Sequence, residues 1–267
     1  MSMTPEDIRL IEKNFHVTKL KLLEVFPLFP FLMDRRNLTC IEIGANKGVW
    51  LEAFFEVFGD RVEAYHAFEP VPPTYSELTS RIETKLGYAK SKIFPHDMCA
   101  GDSNGFIDIH YTEKNSTLAS ILITETLVGK NVIPNDLKAS VKQIRLDDFM
   151  AQKSIESVDI IKIDVEGYEW QVLQGLISAI ESGAAPMIYF EFGSHQKQVG
   201  QNFEMFFDFF HDHGYKLFRQ RVGRNFFGTT PAQRNDPELV SCESMWMLLA
   251  TRVGVSPNYR GPNVGGR

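Results

Sequence analysis

Short apolar runs alternate with segments of helical spacing along most of the chain. Four runs end in or beside glycine, glutamate or aspartate, as buried parallel strands do: residues 40–44, 62–68, 158–163 and 187–192. Each is followed by a stretch with the periodicity of a helix: residues 49–58, 73–85, 168–180 and 203–213. This alternation predicts an α/β fold with a mostly parallel sheet and helices on both faces.

The remaining pattern adds segments at both ends and in the middle. Residues 4–25 carry the capping residue, the proline and the acidic first turn of a helix. The rhythm breaks over residues 105–146, where two strands flank a polar insertion. Two last strands are predicted at residues 215–218 and 245–250, with a polar loop over residues 222–239 between them. We therefore expect three parts: an N-terminal helical extension over 1–36, one α/β domain over 37–255 and a disordered tail over 256–267.

Composition and charge narrow the class of protein. Of the 267 residues, 43% are hydrophobic and 12% are aromatic, which supports a folded core and excludes a mostly disordered chain. The formal charge of −6 and the lack of a Lys/Arg block disfavour a nucleic-acid partner. We expect no transmembrane segment and no secretory signal. Three widely spaced cysteines indicate buried thiols in a cytoplasmic protein. Monomer and homo-oligomer both remain open.

A glycine turn follows the first predicted strand. The sequence EIGANKG, residues 42–48, places Gly44 and Gly48 between a strand and a helix, where a ligand can approach the backbone. A tight turn without a ligand gives the same pattern. The spacing differs from the dinucleotide-binding GxGxxG, and Glu42 would repel a pyrophosphate. A ligand that carries an amino group therefore suits this turn better.

Acidic residues also follow the next two strands. Glu69 lies 21 residues after Gly48, near the spacing at which a carboxylate accepts hydrogen bonds from ribose hydroxyls. We favour ribose binding over a plain surface glutamate. Asp97 follows a third short strand that begins at residues 92–94, and its position suits recognition of an adenine amino group. An ordinary loop carboxylate explains Asp97 nearly as well.

The most specific segment is VDIIKIDVEGYE, residues 158–169. Lys162 lies within an apolar strand, where a charge needs partners. Asp164 and Glu166 follow at the carboxyl end of that strand, where ligands bind in open α/β sheets. Capping of the next helix is the alternative role for these acids. It could explain one of them, but it explains the two together less well.

Five segments together resemble one family, the FkbM-type S-adenosylmethionine-dependent methyltransferases. They are IEIGANKGVW (41–50), FEPVPPTYSEL (68–78), VKQIRLDDFM (141–150), IKIDVEGYEWQVLQG (161–175) and IYFE (188–191). Their order and spacing resemble the family over roughly residues 38–193. The residues on either side carry no such resemblance.

The resemblance implies a Rossmann-like, seven-stranded class I methyltransferase sheet that ends in an antiparallel hairpin, with S-adenosylmethionine as the cofactor. By position, the glycine turn would line the methionine part of the cofactor, Glu69 would bind the ribose and Asp97 the adenine. Asp164 would lie nearest the methyl group. The expected cofactor-binding residues are Glu42, Gly44, Ala45, Asn46, Gly48, Glu69, Pro70, Asp97, Met98 and Asp164.

The implied reaction is methyl transfer to an acceptor hydroxyl, which requires a base for the hydroxyl proton. The candidate catalytic residues are Asp164, Glu166, Glu191 and His195. Among them we favour Asp164, with His195 as its rival. A metal ion held by Asp164 and Glu191 is less favoured, because a third protein ligand is not evident from the sequence. We therefore expect a metal-free site.

The acceptor is expected to be a small molecule or a glycan, methylated on a hydroxyl of a sugar, glycan or secondary metabolite. The insertion over residues 110–135 and the loop over residues 222–239 are expected to shape its pocket. Four arginines near this loop could bind an anionic acceptor but more typically form a solvated basic surface: Arg219, Arg221, Arg224 and Arg234.

Two alternative functions remain. An NAD-dependent oxidoreductase shares the glycine turn and the ribose carboxylate, but it has no support from the GxGxxG spacing. A non-catalytic module that binds S-adenosylmethionine shares all of these motifs. The two acids Asp164 and Glu166 argue against this second alternative.

Overall fold

The computed structural model describes residues 24–111, 137–223, 226–242 and 245–255. The strands are β1 (Leu38–Ile43), β2 (Val62–Phe68), β3 (Ile93–His96), β4 (Met98–Ala100), β5 (Gly105–Tyr111), β6 (Leu137–Ile144), β7 (Ile160–Ile163), β8 (Met187–Phe192), β9 (Tyr215–Gly223), β10 (Phe226–Pro231) and β11 (Trp246–Arg252). The helices are α1 (Phe29–Leu32), α2 (Val49–Phe58), α3 (Pro72–Lys85), α4 (Leu146–Gln152), α5 (Glu169–Gln174), α6 (Ile177–Ser182), α7 (Ser194–Gln198), α8 (Phe203–Asp212) and α9 (Pro237–Ser241).

Eight strands form one sheet in the order β10-β9-β11-β8-β7-β1-β2-β3. The five strands from β8 to β3 run parallel to one another. The chain builds outward from β1 through β2 and β3, and then returns to β7 on the other side of β1. The boundary between β1 and β7 is therefore the topological switch point, where ligands bind in such sheets. The predicted α/β fold with a mostly parallel sheet is confirmed.

The central strands send alternate side chains to two buried faces of the sheet. Ile41 and Ile43 of β1 pack with apolar residues of α5 and α8 on one face. Cys40 packs with Phe54 and Phe58 of α2 on the other face. Because helices cover both faces, these strands are mostly apolar on both sides, with a few polar residues such as Glu42 and Lys162, and this is why the sequence pattern predicted them.

A second sheet of three strands, β4-β6-β5, forms where the rhythm of the chain breaks. Its strands β5 and β6 are antiparallel, which agrees with the two strands predicted to flank an insertion. Residues 112–136 of that insertion lie outside the described residues. The strand β4 begins one residue after β3 ends, with Asp97 between them.

The C-terminal strands complete the large sheet with antiparallel neighbours. β11 pairs with both β8 and β9, so the predicted hairpin strands lie side by side. The prediction of a polar loop over residues 222–239 was wrong, because strand β10 and most of helix α9 lie within this range. β10 is the eighth strand of the sheet, and it carries a glycine and a proline that an edge strand tolerates. Because of this glycine and proline, β10 lacks the continuous apolar run that predicts a buried strand.

Residues 24–36 are the described part of the predicted N-terminal extension. They form a 3₁₀ turn over Phe26–Leu28 and the short helix α1. Leu28 and Leu32 are fully buried on the α2 face of the sheet. The helix predicted over residues 4–25 falls mostly, and the tail over residues 256–267 wholly, outside the described residues. In the part of the chain that the structure describes, no helix has the length and hydrophobicity to cross a membrane.

Candidate active site

A cavity of about 340 Å³ lies at the carboxyl ends of β1, β2, β7 and β8, beside the switch point. This volume suits a small-molecule ligand. The predicted site residues that line it are Glu42, Gly44, Ala45, Asn46, Glu69, Pro70, Met98, Asp164, Glu166 and Glu191. The structure brings them together because the carboxyl ends of neighbouring parallel strands meet at one edge of the sheet.

Only glycine fits at the turn after β1. Gly44 has a φ of +80°, and a Cβ there would lie 1.9 Å from the carbonyl oxygen of Asp164. The N–H groups of Gly44 and Ala45 donate to the carbonyl of Phe68 at 3.0 and 2.8 Å. The N–H of Asp164 donates to the carbonyl of Ile43 at 3.0 Å. The turn therefore ties β1 to β2 and β7, and fixes the backbone of Asp164 beside the cavity.

Glu69 organises the other side of this turn. Its carboxylate is buried and accepts the N–H groups of Asn46 and Val71, each at 2.9 Å. Burial raises the pKa of Glu69 to about 7, against the opposing effect of the two donors. Each carboxylate oxygen has a second lone pair. Glu69 can therefore also accept hydrogen bonds from the hydroxyls of a ligand in the cavity.

A buried network joins Lys162 to acids on two strands. Its Nζ lies 2.9 Å from Asp164 and 3.5 Å from Glu42, and Tyr65 donates its hydroxyl to Glu42 at 2.8 Å. Burial raises the pKa of Glu42 to about 7. Burial favours the neutral amine of Lys162, but Asp164 and Glu42 outweigh it and raise the pKa of Lys162. The charged residue within the apolar strand thus has partners, and it holds Asp164 in place.

Glu169 holds the loop after β7. It is the first residue of α5, and its buried carboxylate accepts the N–H groups of Val165 and Gly167 at 2.9 and 3.0 Å. Gln196 of α7 donates to the same carboxylate at 2.6 Å. The backbone is left-handed at Glu166 and Gly167, with φ values of +55° and +103°. Glu169 therefore joins the loops after β7 and β8, and the loop amides are bound by this acid rather than by Glu166.

Glu191 and His195 meet Glu166 on the β8 side of the site. The Oε2 atom of Glu191 is buried and has no hydrogen-bond partner among the described residues. Burial raises the pKa of Glu191 to about 9, and the neighbouring acids Asp164 and Glu166 add to the shift. The Nδ1 atom of His195 lies 2.7 Å from Oε2 of Glu166, and this carboxylate raises the pKa of His195. Two predicted catalytic residues are therefore in direct contact.

Three predicted residues do not line the cavity. Gly48 directly precedes α2 with a φ of +75°, and a Cβ there would lie 2.7 Å from Leu78, so this glycine serves the turn and its packing. Asp97 is exposed between β3 and β4. His195 reaches the site through its contact with Glu166.

Arginines near the C-terminal hairpin do not converge on the cavity. Arg219 and Arg234 each pair with an aspartate, at 3.3 and 2.7 Å, and neither lines the cavity. The side chains of Arg221 and Arg224 lie outside the described part of the structure. Both described arginines are thus paired with acids, and the side chain of Arg219 is only 13% exposed, so this residue does not form the expected solvated basic surface. Neither arginine supports an anion-binding site at the cavity.

The sequence did not predict the buried residues that hold the cavity-lining residues and loops in position. Tyr65, Glu169 and Gln196 are buried, and each bonds to an acid of the site or to its loop. A signal was present for Glu169, which is the third acid of the segment VDIIKIDVEGYE. The contacts of Tyr65 and Gln196 depend on strand register and loop packing, which the sequence pattern does not give.

The sheet, the glycine turn and the acidic strand ends define a Rossmann-like methyltransferase fold. A solved structure of methyltransferase FkbM from Methylobacillus flagellatus shares it, with a TM-score of 0.51 and 14% identity. That match covers 92% of this chain and 50% of the other. A family model for the methyltransferase FkbM domain matches residues 42–217. The chain therefore belongs to the FkbM methyltransferase family, and its cofactor is S-adenosylmethionine, as predicted.

Two curated relatives are similar at low identity. Hexuronic acid methyltransferase AglP of Haloferax volcanii is 27% identical over 116 residues, which cover 43% of this chain and 42% of AglP. The matched segment thus spans less than half the length of that relative. The 2-O-methyltransferase NoeI of Sinorhizobium fredii is 25% identical over 179 residues, which cover 64% of this chain and 69% of NoeI. The family match favours the methyltransferase over the NAD-dependent alternative.

Proposed function

We propose that this protein transfers a methyl group from S-adenosylmethionine to a hydroxyl of a sugar or glycan, with Asp164 as the proton acceptor. The observation that carries the proposal is that Asp164 lines one cavity together with Glu69 and the Gly44 turn. The proton acceptor and the cofactor-holding residues thus face the same space. The descriptions of AglP as a hexuronic acid methyltransferase and of NoeI as a 2-O-methyltransferase support an oxygen of a sugar as the acceptor.

The residues of the cavity fit the proposed cofactor. The carboxylate of Glu69 would accept hydrogen bonds from the ribose hydroxyls, and the backbone at Gly44 would adjoin the methionine part. Glu42 accepts a hydrogen bond from Tyr65 and lies 3.5 Å from Lys162, and its Oε1 has no hydrogen-bond partner among the described residues. Its contribution would be negative charge beneath the turn. That charge suits the amino group of the methionine part.

The protein's part in the reaction is orientation and proton removal. When bound, S-adenosylmethionine supplies a methyl group that is already activated on its sulfonium, and transfer releases S-adenosylhomocysteine. Lys162 holds one carboxylate oxygen of Asp164 at 2.9 Å, and the backbone of Asp164 is bonded to β1. The fixed carboxylate then takes the proton of the acceptor hydroxyl as the new carbon–oxygen bond forms. The pair of His195 and Glu166 is the second candidate for this role, because its groups lie 2.7 Å apart.

The test is an acceptor screen with the whole chain, in which S-adenosylhomocysteine is measured by mass spectrometry. Neutral and uronic-acid oligosaccharides are compared with non-sugar hydroxyl compounds. We expect product with a saccharide, and a loss of about 100-fold or more in kcat for Asp164→Asn, the size of a general-base contribution. The affinity for S-adenosylmethionine, measured by calorimetry, should change little.

The matched control is Asp208→Asn, which changes an exposed aspartate that pairs with Arg234 outside the cavity. It should keep the activity of the unmodified protein. Product with non-sugar acceptors alone would refute the sugar assignment. Cofactor binding without product from any acceptor would favour the non-catalytic module. Full activity in Asp164→Asn, with loss in His195→Asn, would move the base to His195.

A further inference from the structure

Two carboxylates and one imidazole converge on the β7 and β8 side of the cavity. Glu166 lies in the loop after β7, Glu191 near the end of β8 and His195 in α7. One ligand atom from each of the three residues lies within 4.8 Å of the others. Ligand atoms bound to one divalent ion are about 2.0–2.6 Å from it, so they stand at most about 5 Å apart. The spacing of the three groups is that of a metal site.

One of the ligand atoms is buried without a hydrogen-bond partner. Among the described residues, Glu191 Oε2 has none. The other two groups already touch, because His195 Nδ1 lies 2.7 Å from Glu166 Oε2. A buried polar atom without a partner is costly, and an ion bound between the three groups would satisfy Glu191 Oε2.

The excess of acidic residues around these three groups also favours the binding of a cation. Besides the ligand acids Glu166 and Glu191, the acids Asp164 and Glu169 lie near the site, and Lys162 is the cation that acts on Glu191. Lys162 is bound by Asp164 and Glu42, and no Lys or Arg of the described residues forms an ion pair with Glu166 or Glu191. A divalent ion would offset the repulsion that the acids exert on one another.

We propose that Glu166, Glu191 and His195 bind one divalent metal ion, with Mn²⁺ as the probe for it. Carboxylate ligands suit Mg²⁺ and Mn²⁺, and an imidazole is compatible with Mn²⁺. The sequence favoured a metal-free site because it offered no third ligand beside two strand-end acids. The fold supplies the missing groups through α7 and the left-handed loop after β7, which Gln196 and Glu169 hold together at 2.6 Å.

In the proposed reaction, the ion would bind the acceptor rather than the cofactor. Its three protein ligands come from the elements after β7 and β8, whereas Glu69 and the glycine turn lie after β2 and β1. Three ligands leave positions open for two neighbouring oxygens of the acceptor, such as a diol or a hydroxy acid of a sugar. This role rests on the proposed function, but the binding of the ion does not.

The test is titration of the metal-free whole chain with Mn²⁺, without cofactor or acceptor, followed by the electron paramagnetic resonance signal of free Mn²⁺. We expect one ion per chain. Glu191→Gln and His195→Asn should each weaken binding at least about tenfold, a loss that even outer-shell partners of metal sites produce. The control is Glu181→Gln, which removes a carboxylate 4.0 Å from another histidine, His213, outside the cavity. It should bind Mn²⁺ as the unmodified chain does.

Circular dichroism of each variant checks that it is folded, so a lost ion is not mistaken for a lost fold. Absence of Mn²⁺ binding, or equal binding by Glu191→Gln and His195→Asn, would overturn the proposal. Methyl transfer at full rate by the metal-free protein would leave the proposed function standing and remove the ion from it. Mn²⁺ bound by the three residues, without transfer to any sugar, would support the metal site and count against the sugar acceptor.

Discussion

Replacement of Glu69 by glutamine separates its structural role from its proposed ligand role. Glu69 is 5% exposed, and its carboxylate accepts the N–H groups of Asn46 and Val71 with its two oxygens. Glutamine has the same size but keeps only one acceptor oxygen. In Glu69→Gln, one of the two backbone N–H groups therefore faces an amide NH₂, and the negative charge is gone.

The magnitude follows from the bonds that are lost. A hydrogen bond to a charged group contributes about 1.5–3 kcal/mol, so the free energy of unfolding should fall by about 2 kcal/mol. For a chain of this size, that corresponds to a Tm lower by about 4–8 °C. Loss of the charged acceptor for the ribose hydroxyls should weaken S-adenosylmethionine binding by roughly 10- to 150-fold, since each 1.4 kcal/mol is tenfold.

The assay is calorimetric titration with S-adenosylmethionine and S-adenosylhomocysteine, with thermal unfolding measured in parallel. It is run at about pH 8, because burial raises the pKa of Glu69 to about 7 and the carboxylate must be ionised. The control is Glu83→Gln, which removes an exposed acid of α3 that pairs with Lys90 outside the cavity. A Glu69→Gln protein that is less stable but binds the cofactor within about threefold of the unmodified chain would refute the ribose role.

Three further predictions concern the turn, the loop and the pH dependence of stability. Gly44→Ala should lower the free energy of unfolding in urea by at least about 3 kcal/mol, because φ is +80° and the new Cβ would lie 1.9 Å from Asp164; a loss below about 1 kcal/mol would contradict this. Glu169→Gln should lower it by about 1–3 kcal/mol, because three donors converge on that carboxylate, and urea unfolding at neutral pH measures the change. Burial lowers the pKa of His66 from 6.5 to about 4, so the unfolded chain binds the proton first and stability falls as the pH drops from about 6.5 towards 4. His66 lies 3.1 Å from His96, whose pKa burial also lowers to about 4, so the two histidines titrate as a pair. Between about pH 7.5 and pH 4.5 the pair should account for a loss of at least about 2 kcal/mol, and His66→Phe should reduce that loss; an unchanged pH profile would count against the assignment.

The strands at the centre of the sheet could be predicted because burial on both faces makes them mostly apolar. β1, β2, β7 and β8 all carry this pattern, and each ends at or beside a residue with a special role, such as Gly44, Glu69 or Asp164. The edge strand β10 could not be predicted in the same way. Its residues FFGTTP include a glycine and a proline, and an edge strand does not need continuous apolar burial.

The sequence could predict those site residues that directly follow a strand of the parallel sheet, because the end of the strand determines their position. Asp164 and Glu69 lie where the parallel sheet requires them, and both line the cavity. Asp97 does not line it, because the chain bends between β3 and β4 and leaves this residue exposed. The pairing of Glu169 with Gln196 joins two loops that are 27 residues apart, and no local pattern reports such a contact.

The most direct test of the central claim is to identify the atom that receives the methyl group. The whole chain is incubated with a saccharide acceptor and S-adenosylmethionine that carries ¹³C in its methyl group, and the product is examined by two-dimensional NMR. The proposed function predicts a labelled methoxy group correlated through its oxygen to a ring carbon of the sugar. Label in a carboxylate ester, on nitrogen or in no product at all would contradict methyl transfer to a sugar hydroxyl.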